Sequence, residues 1–171
     1  MKTKHVVVVS LVLLLAIVSI MIENAYHHAE KSKAEVAQRF TYDKVFMKES
    51  YAADCAMEFK DGIQFPLEKP ESAELNYHRF GKMPVSLNRQ QTETILQVLN
   101  DTSSYVWGEL GTPYFDSYFT FYDKDGNCIG YTDFSFEGQT YSTPSLAKMK
   151  WGLLNENARE KLLVAIGSEM K

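Results

Sequence analysis

The sequence predicts an α+β protein with an N-terminal transmembrane helix and stalk, followed by a small domain in which helices pack an antiparallel β-meander. Three observations lead to this prediction. They are an uncharged apolar run at residues 6–22, alternating apolar and polar residues further along, and an aromatic stretch with two turn signals at residues 114–143. We therefore divide the chain into a cytoplasmic tip and signal anchor at 1–22, a helical stalk at 23–50 and an extracytoplasmic α+β domain at 51–171.

The apolar run predicts a membrane anchor. Residues 6–22 read VVVVSLVLLLAIVSIMI, in which only Ser10 and Ser19 are not apolar. A helix of this length rises about 25 Å, which is short for a membrane span and long for a signal-peptide core. A signal peptidase needs small residues before its cut, and neither Ala25 nor Ala29 offers that pattern. An uncleaved signal anchor is therefore favoured, and a cleaved signal peptide is the alternative.

The charges on either side of the run predict its orientation. Lys2 and Lys4 precede it, and basic residues stay on the cytoplasmic side of a membrane. We therefore expect a cytoplasmic N-terminus and, from Glu23 onward, a periplasmic or extracellular chain. This exported part holds all 22 acidic residues and 16 of the 18 basic ones, so its formal charge is −6. An acidic surface repels phosphates and anionic lipid headgroups, which argues against a nucleic-acid partner and against peripheral lipid binding and favours a basic protein partner.

The stalk is expected to continue the anchor helix. Residues 23–40 contain neither glycine nor proline and are rich in helix formers. Glu30 and Lys33 stand three residues apart and can pair on the helix surface. His27 and His28 are adjacent and point about 100° apart on a helix, so they do not converge on a metal ion.

Short strands are expected at the start of the domain. Apolar and polar residues alternate across residues 54–60, which predicts a strand. Asp61-Gly62 is a strong signal for the hairpin turn after it. Further short strands are predicted at residues 75–80 and 83–87.

Capping signals predict three helices in the domain. Asn88, with Gln91 three residues later, forms a capping-box pattern, and the helix that follows is expected to end near Asn100. Proline suits the first position of a helix, so Thr143-Pro144 predicts a short helix. Asn155 is expected to cap the last helix.

The aromatic stretch predicts a meander of three antiparallel strands. The strands are expected at residues 114–122, 127–136 and 139–143. Turns are predicted at residues 123–126, which read DKDG, and at residues 137–138, which read EG, because glycine next to a polar residue favours a turn.

The loop lengths predict the register of this meander. A four-residue first loop pairs Phe121 with Cys128, and a two-residue second loop pairs Phe134 with Tyr141. Cys128 is then expected to pack beside the core phenylalanines. One face of the meander would form the core with Phe115, Phe119, Phe121, Cys128, Phe134, Phe136 and Tyr141.

The opposite face of the meander is rich in tyrosine and acid, with Tyr118 expected directly opposite Tyr131. Tyrosine combines a large apolar ring with a polar tip, which is typical of protein interfaces. A face covered by a helix, with the hydroxyls at its rim, fits the same pattern. The candidate partner-binding residues are Tyr114, Tyr118, Tyr122, Tyr131, Asp116 and Asp133, and Ser142 is expected on the same face.

The two cysteines leave two alternatives open. In an oxidising compartment Cys55 and Cys128 can form a disulfide. With 72 residues between them, this bond would stabilise the domain by roughly 4 to 5 kcal/mol. Both also occupy expected core positions, where a free cysteine behaves as a small hydrophobic residue.

No motif in the sequence points to catalysis, a metal or a cofactor. Residues 123–127 begin like a calcium-binding loop, but the glycine comes too early and the twelfth position is Phe134 instead of glutamate, so we expect a turn. His78 is expected to be a hydrogen-bonded structural histidine. We therefore expect no cofactor and no metal, and a function other than catalysis is favoured.

In architecture the chain resembles type IV pilins, since it combines an N-terminal apolar helix, a protruding stalk and an antiparallel sheet. Pilins also carry a leader-cleavage glycine before Phe or Met and a glutamate within the apolar run. This chain has neither, so the resemblance does not imply assembly into a pilus. The favoured function is a membrane-anchored binding or accessory module that recognises a protein partner, for example of the immunity or inhibitor type. The alternatives are a structural component of an envelope machine and an enzyme of an unrecognised class.

Overall fold

The computed structural model describes residues 2–42, 64–79, 82–106, 114–146, 149 and 152–167. The five strands form one antiparallel sheet with the order β2-β1-β3-β4-β5, so the predicted α+β class with a β-meander is confirmed. The elements are α1 (Lys2–Tyr42), β1 (Ser72–Tyr77), β2 (Val85–Leu87), α2 (Arg89–Asn100), a 3-10 helix (Thr102–Ser104), β3 (Ser117–Tyr122), β4 (Cys128–Phe134), β5 (Thr140–Thr143) and α3 (Glu156–Ala165).

Helix α1 changes character along its length. Residues 7–21 are exposed, and nearly all of them are apolar. Further along, Ala29, Ser32 and Val36 are buried where the helix contacts β4 and β5. Spacings of three and four residues place these three side chains on one face of the helix. The helix therefore runs without a break from the apolar run onto the sheet.

The main core lies on the sheet face opposite α1. Phe119, Phe121 and Phe134 are fully buried there, and the rings of Phe119 and Phe134 stack with centroids 4.6 Å apart. Ile95 of α2 and Leu162 of α3 belong to the same buried cluster. The placement of these three phenylalanines on the core face is thus confirmed.

Side-chain caps begin two of the helices as predicted. The backbone N–H of Gln91 donates to the Asn88 side chain, and the Gln91 side chain accepts from the Asn88 N–H, both at 2.9 Å. Asn155 accepts a hydrogen bond from a backbone N–H in the first turn of α3. The helix predicted to begin at Thr143-Pro144 does not begin there. Thr143 still pairs with Tyr131 in the sheet, and residues 144–146 are not helical.

The early strands are only partly described. The strand predicted at residues 54–60 and its turn at Asp61-Gly62 lie outside the described residues. The strand predicted at 75–80 is observed as β1, which begins and ends three residues earlier. The strand predicted at 83–87 is observed as the shorter β2.

A β-bulge changes the register between β3 and β4. Phe121 pairs with Gly130 and Tyr122 with Cys128, so Ile129 has no partner across the ladder. The first turn is one residue shorter than predicted, because Asp123 pairs with Asn127, so Cys128 lies opposite Tyr122 on the α1 side. The bulge then directs Ile129 into the main core. The prediction that Cys128 pairs with Phe121 and packs beside the core phenylalanines is therefore wrong.

The tyrosine face is altered by the same shift. Tyr118 pairs with Asp133, and Tyr131 pairs with Thr120, so the predicted pairing of Tyr118 with Tyr131 is wrong. These residues still share one face, because the turn and the bulge together shift each partner of β3 by two residues, which preserves the alternation.

The second hairpin has a three-residue loop instead of the predicted two-residue one. Ser135 pairs with Gln139 through a 2.8 Å hydrogen bond, and Gly138 takes the positive φ that such a loop needs. This one-residue slip moves Tyr141 from the expected core face to the α1 side, opposite Asp133. Ser142, which was expected on the tyrosine face, lies on the core face instead, and its hydroxyl forms a hydrogen bond with that of Thr132. Two other residues expected in the core are incompletely buried, Phe115 and Phe136.

We predict that Gly152→Ala destabilises the protein by more than about 3 kcal/mol, since a methyl group there cannot be accommodated. Gly152 has φ +77°, and an added Cβ would lie 1.6 Å from the Thr140 carbonyl oxygen. Gly126 is the matched control, because its φ is +80° but no atom lies within 4 Å of an added Cβ. Gly126→Ala should cost only about 1 to 2 kcal/mol. Thermal unfolding of the full-length protein in detergent measures both losses, and equal losses would contradict the close contact.

Candidate functional site

Helix α1 covers the face on which the sequence places the candidate partner-binding residues. Two of the six candidate residues, Tyr114 and Asp116, precede β3 in the chain, and Tyr114 is 77% exposed. A face covered by a helix, the second alternative left open by the sequence, is therefore the observed arrangement. The four candidate residues that lie buried on this face are Tyr118, Tyr122, Tyr131 and Asp133.

Lys33 lies at the centre of the contact between α1 and the sheet. Its ammonium group is 4.6 Å from the ring centroid of Tyr118 and 5.0 Å from that of Tyr131. Its Nζ donates to Oδ1 of Asp133 at 2.5 Å. The Lys33 and Asp133 side chains are only 17% and 10% exposed, so both charges are largely removed from water. The carboxylate and the two ring faces compensate the buried cation.

One carboxylate oxygen connects three parts of the fold. Besides accepting from Lys33 of α1, Oδ1 of Asp133 on β4 lies 3.0 Å from Nε2 of His78, in the segment after β1. The His78 ring also lies 4.9 Å from the ring of Tyr118. His78 is thus the hydrogen-bonded structural histidine that the sequence indicates.

Tyr118 and Glu30 bring two further polar side chains into the contact between α1 and the sheet. Within the described part of the chain, the Tyr118 hydroxyl and Oε1 of Glu30 are buried and make no hydrogen bond. Burial, and after it the negative charge of Glu30, raises the pKa of Tyr118 far above its ordinary value. The phenol therefore stays protonated beyond the pH at which an exposed tyrosine ionises.

The other end of the contact is a small buried cluster of Val36, Tyr122, Cys128 and Tyr131. Among the described residues Cys128 has no disulfide partner, and its Sγ donates to a backbone carbonyl at 3.4 Å. Burial raises the pKa of this thiol to about 11. A thiol that stays protonated at neutral pH is a poor nucleophile. Cys55 lies outside the described residues, so the disulfide between the two cysteines stays a prediction.

Sequence reasoning did not identify Lys33 and His78 as partners of Asp133. It places Lys33 on the helix surface beside Glu30, because the two stand three residues apart. The available signal is the spacing of Ala29 and Val36, which indicates an apolar stripe next to Lys33. Identifying the surface that covers this stripe requires the tertiary structure.

A cleft of about 420 Å³ lies between residues 64–70 and helix α2. Asn100 holds the loop in place, because its side chain accepts from the Phe65 N–H at 2.7 Å and donates to the Phe65 carbonyl at 2.6 Å. Leu67 lines the cleft and is 47% exposed. Charged side chains surround it, among them Glu68 and Glu93. The cleft thus combines a partly exposed apolar side chain with charged neighbours.

Metal binding finds no support in the described segments, in which no three His, Cys, Asp or Glu residues form a group that could hold an ion. The Asp123 carboxylate serves the turn after β3, where it accepts from the N–H groups of Asp125 and Asn127 at 2.8 Å. Hydrogen bonds from Asn127 lower the pKa of Asp123. Comparisons of the chain with protein-family models, curated proteins and solved structures find no match. Its function must therefore be inferred from its own geometry.

We predict that Lys33→Met destabilises the protein by about 2 to 4 kcal/mol, because it leaves a largely buried Asp133 without its ammonium partner. Lys31 is the control, since its side chain is 76% exposed and its Nζ lies 3.7 Å from Glu35. Lys31→Met should cost less than about 0.5 kcal/mol. Denaturant unfolding of the full-length protein in detergent measures both changes. A similar, small loss for both variants would show that the buried pair does not hold α1 on the sheet.

Alkaline pH should weaken the contact between α1 and the sheet. Burial raises the pKa of Cys128 to about 11 and that of Tyr122 to about 12, so the folded state retains both protons longer than the unfolded chain. This stabilisation is fully present below the ordinary thiol pKa of about 8.5 and is lost as the pH rises through the folded value. Unfolding temperatures measured from pH 8 to pH 11 should therefore fall. Cys128→Ala should remove the earliest part of this fall, and an unchanged profile would contradict the burial of the thiol.

Proposed function

We propose that this chain is a single-pass membrane protein whose α+β domain lies outside the cytoplasm and serves as a binding or accessory module for a protein partner. The observation that carries the proposal is the continuity of α1. The helix includes one segment long and apolar enough to cross a membrane, with a mean hydropathy of 2.5, and its later residues pack on the sheet. Lys2 and Lys4 before the segment favour a cytoplasmic N-terminus.

The helix is a rigid connection and not a flexible tether. No residue between Lys2 and Tyr42 interrupts it, and its buried stripe belongs to the packing of the domain. A flexible linker lets a domain move freely over a large volume, whereas a helix fixes its distance and orientation. A fixed position suits a module that presents a binding surface to another protein of the same membrane.

The cleft lined by Leu67 is the binding surface that we propose. Four of the six tyrosine-face residues lie beneath α1, so a partner would contact them only if the helix left the sheet. The cleft requires no such change. It is open, it combines Leu67 and Leu96 with charged neighbours, and it is held in shape by Asn100. These features fit a protein segment better than a small molecule, which needs a more enclosed site.

The test uses single cysteines in a background with Cys55→Ser and Cys128→Ala. Leu67→Cys and the control Val164→Cys, at a 75% exposed position on α3, are treated in right-side-out membrane vesicles with a membrane-impermeant thiol crosslinker. We expect both positions to react, and only Leu67→Cys to capture a defined protein. Leu67→Asp should abolish co-purification of that protein, whereas Val164→Asp should not.

The outcomes separate the two parts of the proposal. Reaction only after the vesicles are opened would place the domain inside and contradict the topology. Reaction at both positions with identical capture, or with none, would contradict the cleft as the binding surface.

A further inference from the structure

Helix α1 defines which end of the sheet lies towards the membrane. Lys33 lies over Tyr118, near the start of β3, and Val36 packs in a cluster with Tyr122, at the end of β3. The part of α1 nearer the apolar run therefore lies over the start of β3, and the part further from the run lies over the end of β3. The start of β3, the end of β1 and the end of β4 face the apolar run. We call this end of the sheet the anchor-side rim.

Backbone hydrogen bonds place several exposed residues on the anchor-side rim. Across this end, the His78 N–H donates to the Asp116 carbonyl and the Asp116 N–H to the Phe134 carbonyl, both at 3.1 Å. Beyond this row lie the segment after β1, the residues before β3 and the loop after β4. Among the described residues of these segments, the exposed side chains include Arg79, Lys82, Tyr114, Phe136 and Glu137.

The height of the rim above the membrane follows from helix and strand geometry. Tyr118 is level with Glu30 to Lys33, which lie about 12 to 17 Å beyond Ile22, the last residue of the apolar run. Asp133 pairs with Tyr118, and Phe136 is three residues further, up to about 10 Å closer to the run. With α1 along the bilayer normal and the strands parallel to α1, this leaves about 2 to 7 Å between the rim and the hydrocarbon core, which is within the thickness of a headgroup layer.

We propose that the anchor-side rim lies in the lipid headgroup layer of the membrane that α1 spans, so that the domain rests on the bilayer. This inference depends on the proposed single-pass topology. Tyr114 is the most exposed aromatic residue of the rim and Phe136 is partly exposed, and aromatic side chains favour the membrane–water interface. Arg79 and Lys82 can pair with lipid phosphates. The net negative charge of the domain gives anionic lipids no general advantage, so a zwitterionic bilayer suffices.

This placement also orients the cleft. Phe65 packs on Phe121 with ring centroids 5.5 Å apart, and the Glu71 N–H donates to the Tyr122 carbonyl, so the loop of the cleft lies at the far end of β3. The cleft is therefore held away from the lipid.

The experiment uses depth-dependent fluorescence quenching on the full-length protein. A fluorophore is attached to Glu137→Cys on the rim or to Lys124→Cys, an exposed turn residue at the opposite end of the sheet, in the background with Cys55→Ser and Cys128→Ala. The protein is reconstituted into phosphatidylcholine vesicles that carry a nitroxide on part of the choline groups. We expect the Glu137 label to lose most of its fluorescence and the Lys124 label to retain nearly all of it. Adding Tyr114→Asp should restore a large part of the Glu137 signal.

A third label distinguishes failure of this inference from failure of the topology. At Val12→Cys, in the apolar run, the label should be shielded from aqueous iodide. Equal quenching of the Glu137 and Lys124 labels, with Val12 shielded, would overturn the contact with lipid and keep the anchor. Quenching of the Val12 label by iodide would overturn the topology itself and the inference with it.

Discussion

The ion pair between Lys33 and Asp133 is the interaction on which the arrangement of this protein depends. A lysine that faces a sheet is costly to bury unless its charge is met, and here a carboxylate and the faces of two tyrosine rings meet it. The same carboxylate contacts His78, so α1, β4 and the segment after β1 are held by one group. Because the pair is specific in direction, it fixes the position of α1 along the sheet as well as its presence there.

The sheet is consequently covered on both faces. Every residue of β3 and β4 is buried, although an antiparallel sheet commonly leaves one face to solvent. The two faces differ in chemistry. Phenylalanine dominates the face under α2 and α3, where the buried hydroxyls of Thr132 and Ser142 bond each other. Tyrosine dominates the face under α1, where the helix brings Glu30 and Lys33. The tyrosine-rich face thus has the chemistry of an interface because it binds a helix, and that helix belongs to the same chain.

Local features of the fold can be predicted from the sequence, and features that depend on distant residues cannot. The capping box at Asn88, the turn at Asp123 and the class of the fold follow from short patterns whose partners lie within a few residues. The length of the turn after Asp123 and the bulge at Ile129 have no such pattern, and together they place Cys128 on the other face. The contact of Lys33 with Asp133 joins residues a hundred positions apart, so spacing along the chain gave no indication of it.

The positions of four tyrosines relative to α1 connect the packing of the domain with its proposed position at the membrane. Tyr122, Tyr131 and Tyr118 are buried where α1 crosses the sheet, and Tyr114 is exposed beyond the sheet end that faces the apolar run. Because α1 is continuous, in the proposed topology the depth of each ring relative to the bilayer is set by the same contact that buries the first three. An amphipathic ring can pack under a helix or lie at a lipid interface, since both environments combine an apolar body with a polar edge. Under that proposal the ion pair of Lys33 determines which ring occupies which environment, because it fixes where α1 leaves the sheet.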